Sequence, residues 1–206
     1  RSTVATYCGV LDDLRRAYAR TDAAREAGYK AGDFSYNTGR LRCPTCDGTG
    51  QISLDVQFLP DVDIDCPDCG GSRYGTAAAG VRRAQKGTDG LGLSLPELMA
   101  LSVDEALPHV ADLKRAREKL QTLHDLGLGY LTLGEATPAL SGGEAQRLKL
   151  ASEMGRGQAD AVFVFDEPTI GLHPRDVETL LGVFQRLVDQ GATVVVVEHD
   201  LDFIAN

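Results

Sequence analysis

The sequence predicts an α/β chain in which parallel strands alternate with helices, with a small cysteine-bearing β-hairpin set into a helical region. Three observations carry that expectation. Beyond Gly127, helical patterns at 141–155 and 174–190 alternate with apolar runs at 161–165 and 193–197, the order that builds a layer of parallel strands. Upstream, four of the five cysteines fall into two Cys-x-x-Cys pairs. Between those pairs apolar and polar residues alternate, the period of a half-exposed hairpin.

The elements follow in order. Residues 9–20 put Val10, Leu11, Leu14 and Tyr18 on one face, which predicts an amphipathic helix. Residues 28–42 are glycine-rich and irregular, and they lead into the first cysteine pair. The stretch SLDVQF, 53–58, alternates Leu54, Val56 and Phe58 with polar residues, and DVDID alternates again beyond Leu59-Pro60. Residues 75–94 are rich in Gly and Ala and read as a flexible connection. Helical period returns at 95–101, again behind Ser102, and in a longer helix over 111–126. Helix 141–155, strand 161–165, helix 174–190 and strand 193–197 complete the chain, both strands being expected to be buried.

At 206 residues, with 43% hydrophobic and 25% charged residues, the chain has the composition of a globular protein with room for one sizeable domain or two small ones. The net charge of −9 and the pI near 4.9 argue against nucleic-acid binding over the whole surface and leave room for a local basic patch. No apolar run approaches the length of a membrane span, and the run Thr193 to Val197 suits a strand. No secretory leader is visible, and the chain opens on Arg1, which reads as a piece of a longer protein.

Cys43, Cys46, Cys66 and Cys69 stand in the pattern C-x2-C-x19-C-x2-C. Each pair can offer two thiolates on one tight knuckle, and the hairpin between them brings the knuckles together. Four sulfurs with no histidine nearby describe a closed tetrahedral Zn²⁺ site, structural and not catalytic. Redox-active or disulfide pairs are the alternative, disfavoured by the spacing. Cys8 stands outside the set and reads as a buried apolar side chain. Asp55, Asp61, Asp63 and Asp65 make the hairpin a poor grip for a phosphate backbone; Arg40, Arg42 and Arg73, flanking the knuckles, are better candidates.

The apolar run VFVFDEPT, 162–169, ends in two carboxylates. Side chains at the carboxyl end of a parallel strand emerge where ligands bind. Asp166 there can hold the Mg²⁺ of a nucleotide, and Glu167 can deprotonate an attacking water. VVVVEHD, 194–200, is the next apolar strand, and His199 at its end can donate to a terminal phosphate. Ser141 and Glu144 spell a capping box, which alone would simply start a helix. Yet Gly142 and Gly143 lie between them, and glycine costs a helix about 1 kcal/mol per residue. Exposed amides at a helix N-terminus form an anion site, so a phosphate is the expected partner.

In this order, LSGGEAQR, VFVFDE, GLHP and EHD resemble the signature motif, Walker B strand, D-loop and switch histidine of ABC-type ATPases. With ATYCGVLDDLR, FSYN, CPTCDGTG, FLPDVDIDCPDCGGSRY and KLQTLHDLGLGYLTLGE, the chain resembles the carboxy-terminal half of the UvrA family of the ABC excinuclease over nearly its whole length. That resemblance implies a partial ABC-type ATPase domain with an inserted helical signature region and a zinc-bound hairpin module. It assigns Glu167 and His199 to catalysis. Asp166, Ser141, Gly142, Gly143 and Gln146 go to the nucleotide, the signature residues contacting a phosphate held by a different module. It divides the chain into a helical part of the signature region (1–34), the four-cysteine module (35–75), a flexible connection (76–94), the helical signature region (95–140) and the ATPase core (141–206). It implies a cytoplasmic ATPase that recognises damaged duplex DNA in nucleotide excision repair, as a homodimer with UvrB as partner. A UvrA-like drug-resistance protein and a non-catalytic zinc-bearing interaction module are the alternatives. The phosphate loop G-x-x-x-x-G-K-[ST] does not occur in the chain, so the chain by itself is expected not to hydrolyse ATP.

Overall fold

A computed structural model describes residues 2–54, 62–85, 90, 92–154, 161–172, 174–199 and 201–204, and the side chains of all of these but 174–176, 201 and 202. Two short helices open the chain, α1 (Val4–Tyr7) and α2 (Val10–Tyr18). The single helix expected over 9–20 starts one residue late because Gly9 has φ +71°, a left-handed conformation that breaks α1 from α2. Val10, Leu11, Leu14 and Tyr18 are buried, the face that the periodicity predicts. Helix α3 (Asp22–Glu26), capped by the Thr21 hydroxyl, and a 3₁₀ turn at Ala31–Phe34 lead into the cysteine module.

That module is an antiparallel hairpin of β1 (Gln51–Leu54) and β2 (Val62–Asp65), in the register Gln51 opposite Asp65 and Leu54 opposite Val62. The first strand starts two residues before the expected 53–58, and residues 55–61, with the expected Val56 and Phe58, lie outside the described residues. Helix α4 (Thr76–Ala79) follows, and β3 (Arg82–Arg83) pairs antiparallel with β4 (Leu93–Ser94). Residues 76–94 thus contain ordered elements where a flexible connection was expected; 86–89 and 91 lie outside the described residues. Arg82 and Arg83 hold the pairing against the helical region through ion pairs with Glu97 and Asp112.

Capping boxes at Ser94 and Ser102 start α5 (Leu95–Met99) and α6 (Val103–Ala106). A 3₁₀ turn at Leu107–Val110 precedes α7 (Lys114–Asp125), which buries Ala116, Leu120 and Leu123 against its neighbours α2, α6 and α8. A further 3₁₀ turn, Thr137–Ala139, leads into α8 (Gly142–Glu153). Strand β5 (Val162–Asp166), helix α9 (Pro174–Asp189), strand β6 (Thr193–Val197) and helix α10 (Leu201–Ile204) end the described chain. The two strands are parallel, Val162 opposite Thr193 and Asp166 opposite Val197, and α9 supplies the crossover that parallel strands require.

One hydrophobic core runs from Val4 to Phe203 and takes in Phe34, Tyr36, Leu41 and Tyr74 from the edges of the cysteine module. Tyr74 donates to the Phe34 carbonyl at 2.9 Å, so the module is rooted in the helical layer. The expectation that both late strands are buried is corrected. Phe163, Phe165, Val194 and Val196 join the core, while Val162 and Val164 are 66% and 67% exposed and Val195 and Val197 are exposed as well. The reason is the pleat: successive residues face opposite sides, and α9 covers only one of them among the described residues. On the covered side Phe165 meets Phe184 of α9, with ring centroids 4.7 Å apart, and Phe184 meets Phe203 of α10.

Candidate functional site

Two constellations stand out. In the first, Cys43, Cys46, Cys66 and Cys69 place their sulfurs within 4.8 Å of one another. The Cys43–Cys66 separation is 3.9 Å and the Cys46–Cys69 separation 3.7 Å. A tetrahedron with Zn–S bonds of about 2.3 Å has S···S edges of about 3.8 Å. None of the four is in a disulfide, and three of them are buried. Burial opposes the Cys46 thiolate, but the Gly50 amide and the adjacent thiols outweigh it and bring its pKa to about 7. Burial is the main cause that raises Cys69, to about 12, and the neighbouring sulfurs of Cys46, Cys66 and Cys43 raise it further. A cation resolves that conflict, so the donor set fits a thiolate-bound zinc with no open position. The knuckle backbone is equally specific. A Cβ on Gly48 would lie 1.7 Å from the Tyr36 carbonyl oxygen, so only glycine fits there.

The arginines flanking the knuckles are engaged within the chain. Arg40 makes a two-pronged contact with Asp33, at 2.7 and 3.0 Å, and Arg42 pairs with Asp47 at 2.8 Å. The Arg73 guanidinium lies over the Tyr36 ring. Cys8 is buried, its pKa raised to about 11 by that burial, in keeping with an inert apolar role.

The second constellation lies at the carboxyl edge of the parallel pair. Asp166 ends β5, and Glu167 follows it at φ +46°. Such a conformation is uncommon for a non-glycine residue and is held only where the surroundings enforce it. Here the Glu167 N–H donates to the Val197 carbonyl at 2.8 Å, extending the strand pairing by one bond. His199 Nε2 stands 3.3 Å from Glu167 Oε1, both side chains facing solvent. The structure therefore brings Asp166, Glu167 and His199 to one edge. His173 of the GLHP motif and Asp200 lie outside the described residues.

Helix α8 reaches the same edge. Gln146 Oε1 accepts from the Asp166 N–H at 3.2 Å, so this side chain braces the strand end of its own chain. Arg147, 1% exposed, donates through Nη1 to the Pro168 carbonyl at 2.7 Å. At the N-terminus of α8, Ser141 caps the helix, its Oγ accepting from Glu144 N–H while Glu144 Oε2 accepts from Ser141 N–H at 2.6 Å. The Tyr130 hydroxyl donates to Glu144, and that bond is the main reason the Glu144 carboxyl lies below the usual carboxylate range. A Cβ on Gly142 would meet nothing within 4 Å, whereas one on Gly143 would lie 3.2 Å from Arg147 Nη1. Packing explains Gly143 in part and Gly142 not at all.

Sequence reasoning missed Glu198, Thr169 and Tyr130 as members of this edge. Only for Glu198 was a signal present, an acid closing an otherwise apolar strand. Among the described residues no helix is long and apolar enough to cross a membrane.

No family model matches the chain. UvrABC system protein A of Bacillus subtilis is 46% identical over 205 residues, which is 99% of this chain and 21% of that protein. The protein of the same name from Clostridium acetobutylicum is 45% identical, again over 99% of this chain and 21% of its own length. The chain therefore spans about a fifth of the length of these curated relatives. Among solved structures, the crystal structure of UvrA2 from Deinococcus radiodurans superposes with a TM-score of 0.84 at 44% identity, over 99% of this chain and 24% of that one.

Proposed function

Over the segment that it spans the chain belongs to the UvrABC system protein A family, and from that premise we propose that it works as part of a cytoplasmic ABC-type ATPase that recognises damaged duplex DNA in nucleotide excision repair. The observation that carries the nucleotide part of this reading is the Glu167–His199 approach, 3.3 Å, at the carboxyl edge of the parallel pair. A carboxylate and an imidazole open to solvent at that edge can act on a water and on a phosphate together. Glu167 takes the proton of the attacking water. His199 donates to the terminal phosphate, and Asp166, an exposed hard-oxygen donor at the strand end, holds Mg²⁺. When bound, Mg²⁺ neutralises charge developing on the phosphates.

The open face at Gly142 and the exposed N-terminus of α8 suit an anion. In this reading Ser141, Gly142 and Gly143 meet the terminal phosphate of a nucleotide held by another ATPase module. Gln146 joins them at the nucleotide, and within its own chain it braces Asp166. The backbone cradle and lysine for the phosphates come from outside the chain, so the chain alone does not turn over ATP. Cys43, Cys46, Cys66 and Cys69 hold Zn²⁺ as a structural cross-link. Damaged DNA, UvrB and a second copy of the full-length protein are the partners.

The test is Glu167→Gln in the full-length protein. Glutamine keeps the shape but cannot take a proton, and loss of a general base costs on the order of 10²–10⁴-fold in rate. ATP binding should persist while turnover nearly disappears, and the wild type should bind damaged duplex and engage UvrB. Turnover near the wild-type rate in this variant removes Glu167 from the chemistry. Normal ATPase activity without UvrB binding removes the repair assignment.

A further inference from the structure

The strand that leads to His199 also delivers a carboxylate to which the proposed hydrolysis gives no task. Glu198 Oε1 accepts from the Thr169 backbone N–H at 2.8 Å and from the Thr169 hydroxyl; Glu198 Oε2 accepts from the His199 backbone N–H at 2.9 Å. Thr169 is buried. One carboxylate thus ties the loop that begins at Glu167 to the backbone of His199.

That loop requires ties. Glu167 has φ +46°, a strained conformation for glutamate, and strain persists only where neighbouring bonds enforce it. Three bonds do so. The Glu167 N–H reaches the Val197 carbonyl at 2.8 Å, Arg147 Nη1 reaches the Pro168 carbonyl at 2.7 Å, and Thr169 is held by Glu198. Two of the three attach the loop to the end of β6, the element that leads to His199. The side chains of Glu167 and His199 are 39% and 81% exposed, so packing does little to fix them. The placement of their backbones therefore decides whether the two side chains can meet.

We propose that Glu198 is a positioning residue for the Glu167–His199 pair, acting through Thr169. The inference rests on the reading of that pair as the site of ATP hydrolysis. A carboxylate suits the task because it accepts on both oxygens from three donors at once. Glutamine could keep the Thr169 bonds on its one carbonyl oxygen, but it would turn an N–H₂ toward the His199 N–H. Alanine would leave the buried Thr169 N–H without its acceptor.

In the full-length protein, Glu198→Ala is expected to lower kcat about tenfold, the scale of a modest misplacement of reacting groups. KM for ATP should stay within about twofold, since the nucleotide's binding groups are untouched. Glu198→Gln should recover part of the loss. In a Glu167→Gln background, Glu198→Ala should cost much less than it does in the wild type, because the tie through Thr169 then has no base to position. A KM rise with kcat unchanged, or a full additional loss in that background, overturns the proposal. Hydrogen exchange at the Thr169 amide in the zinc-loaded chain tests the geometry without ATP. Protection in the wild type that is lost in Glu198→Ala is expected, and equal exchange in both overturns the proposal. A full-length wild type that does not hydrolyse ATP overturns the reading of the site instead, and the exchange measurement then decides the Glu198–Thr169 tie by itself.

Discussion

Gly142→Ala separates what the fold needs from what a ligand needs. An added Cβ meets nothing within 4 Å, and the residue occupies the first helical position of α8 without left-handed backbone. Under those conditions alanine stabilises chiefly by restricting the unfolded chain, by about 0.4–1 kcal/mol. At the first turn, where few helical bonds are at stake, about 0.5 kcal/mol is expected. With a urea slope of about 2 kcal/mol/M, the unfolding midpoint of the zinc-loaded chain should rise by about 0.25 M. Gly143→Ala should gain nothing. Its Cβ would lie 3.2 Å from Arg147 Nη1, on a guanidinium that is buried and tied to Pro168 and so cannot yield freely. In the full-length protein the Gly142 methyl group would occupy the space through which a phosphate approaches the α8 amides. Losing one such contact to a reacting centre should lower ATP turnover by about tenfold or more. A stability loss of about 1 kcal/mol would show that the fold itself requires glycine here. Unchanged turnover would mean that no phosphate meets this end of α8.

Two further outcomes test the rest of the structure. Cys66→Ser removes a fully buried donor from the four-sulfur cluster, so metal analysis should fall from about one zinc per chain to well below it, with a lower melting temperature that chelator treatment of the wild type reproduces; full zinc occupancy in the variant would dissolve the tetrahedral assignment. Arg147→Met removes a charged donor from the Pro168 carbonyl; a bond of that kind contributes about 2 kcal/mol and the 3.5 Å contact with Ile170 adds little, so the urea midpoint should fall by about 1 M, and an unchanged midpoint would mean that the buried guanidinium's desolvation cancels its bond.

The patterns that depend on local chemistry were legible in the sequence. Residues 193–197 form a strand at those bounds, and the faces of α2 and α7 follow the helical period. The cysteine spacing predicted a quartet, and the sulfurs meet. What was illegible depends on partners far apart in the chain. Periodicity does not tell which side of an apolar strand is covered, so Val162 and Val164 were expected inside. A Gly- and Ala-rich stretch reads as loose, yet Arg82 and Arg83 find Glu97 and Asp112, and Ala78 and Val81 are buried in the core. Gln146 and Arg147 stood beside the glycines in the sequence, but their attachment to Asp166 and Pro168 appears only once the end of β5 and the loop after it meet α8.

The two readings of Ser141 stop competing once its bonds are assigned. In the capping box its Oγ is an acceptor, taking the Glu144 N–H at 3.4 Å, while Glu144 takes the Ser141 N–H at 2.6 Å. A serine hydroxyl has two lone pairs and one proton, and the cap uses a lone pair. The proton stays available for an acceptor beyond the helix end, where Gly142 leaves open space. Tyr130 strengthens the arrangement from outside, since its hydroxyl holds the Glu144 carboxylate in its ionised form. An ionised Glu144 accepts and cannot donate, so it fixes the Ser141 backbone without competing for the role of its hydroxyl. In the proposed reading the capping box aims the serine, and its remaining proton suits a phosphate oxygen at the open end of α8.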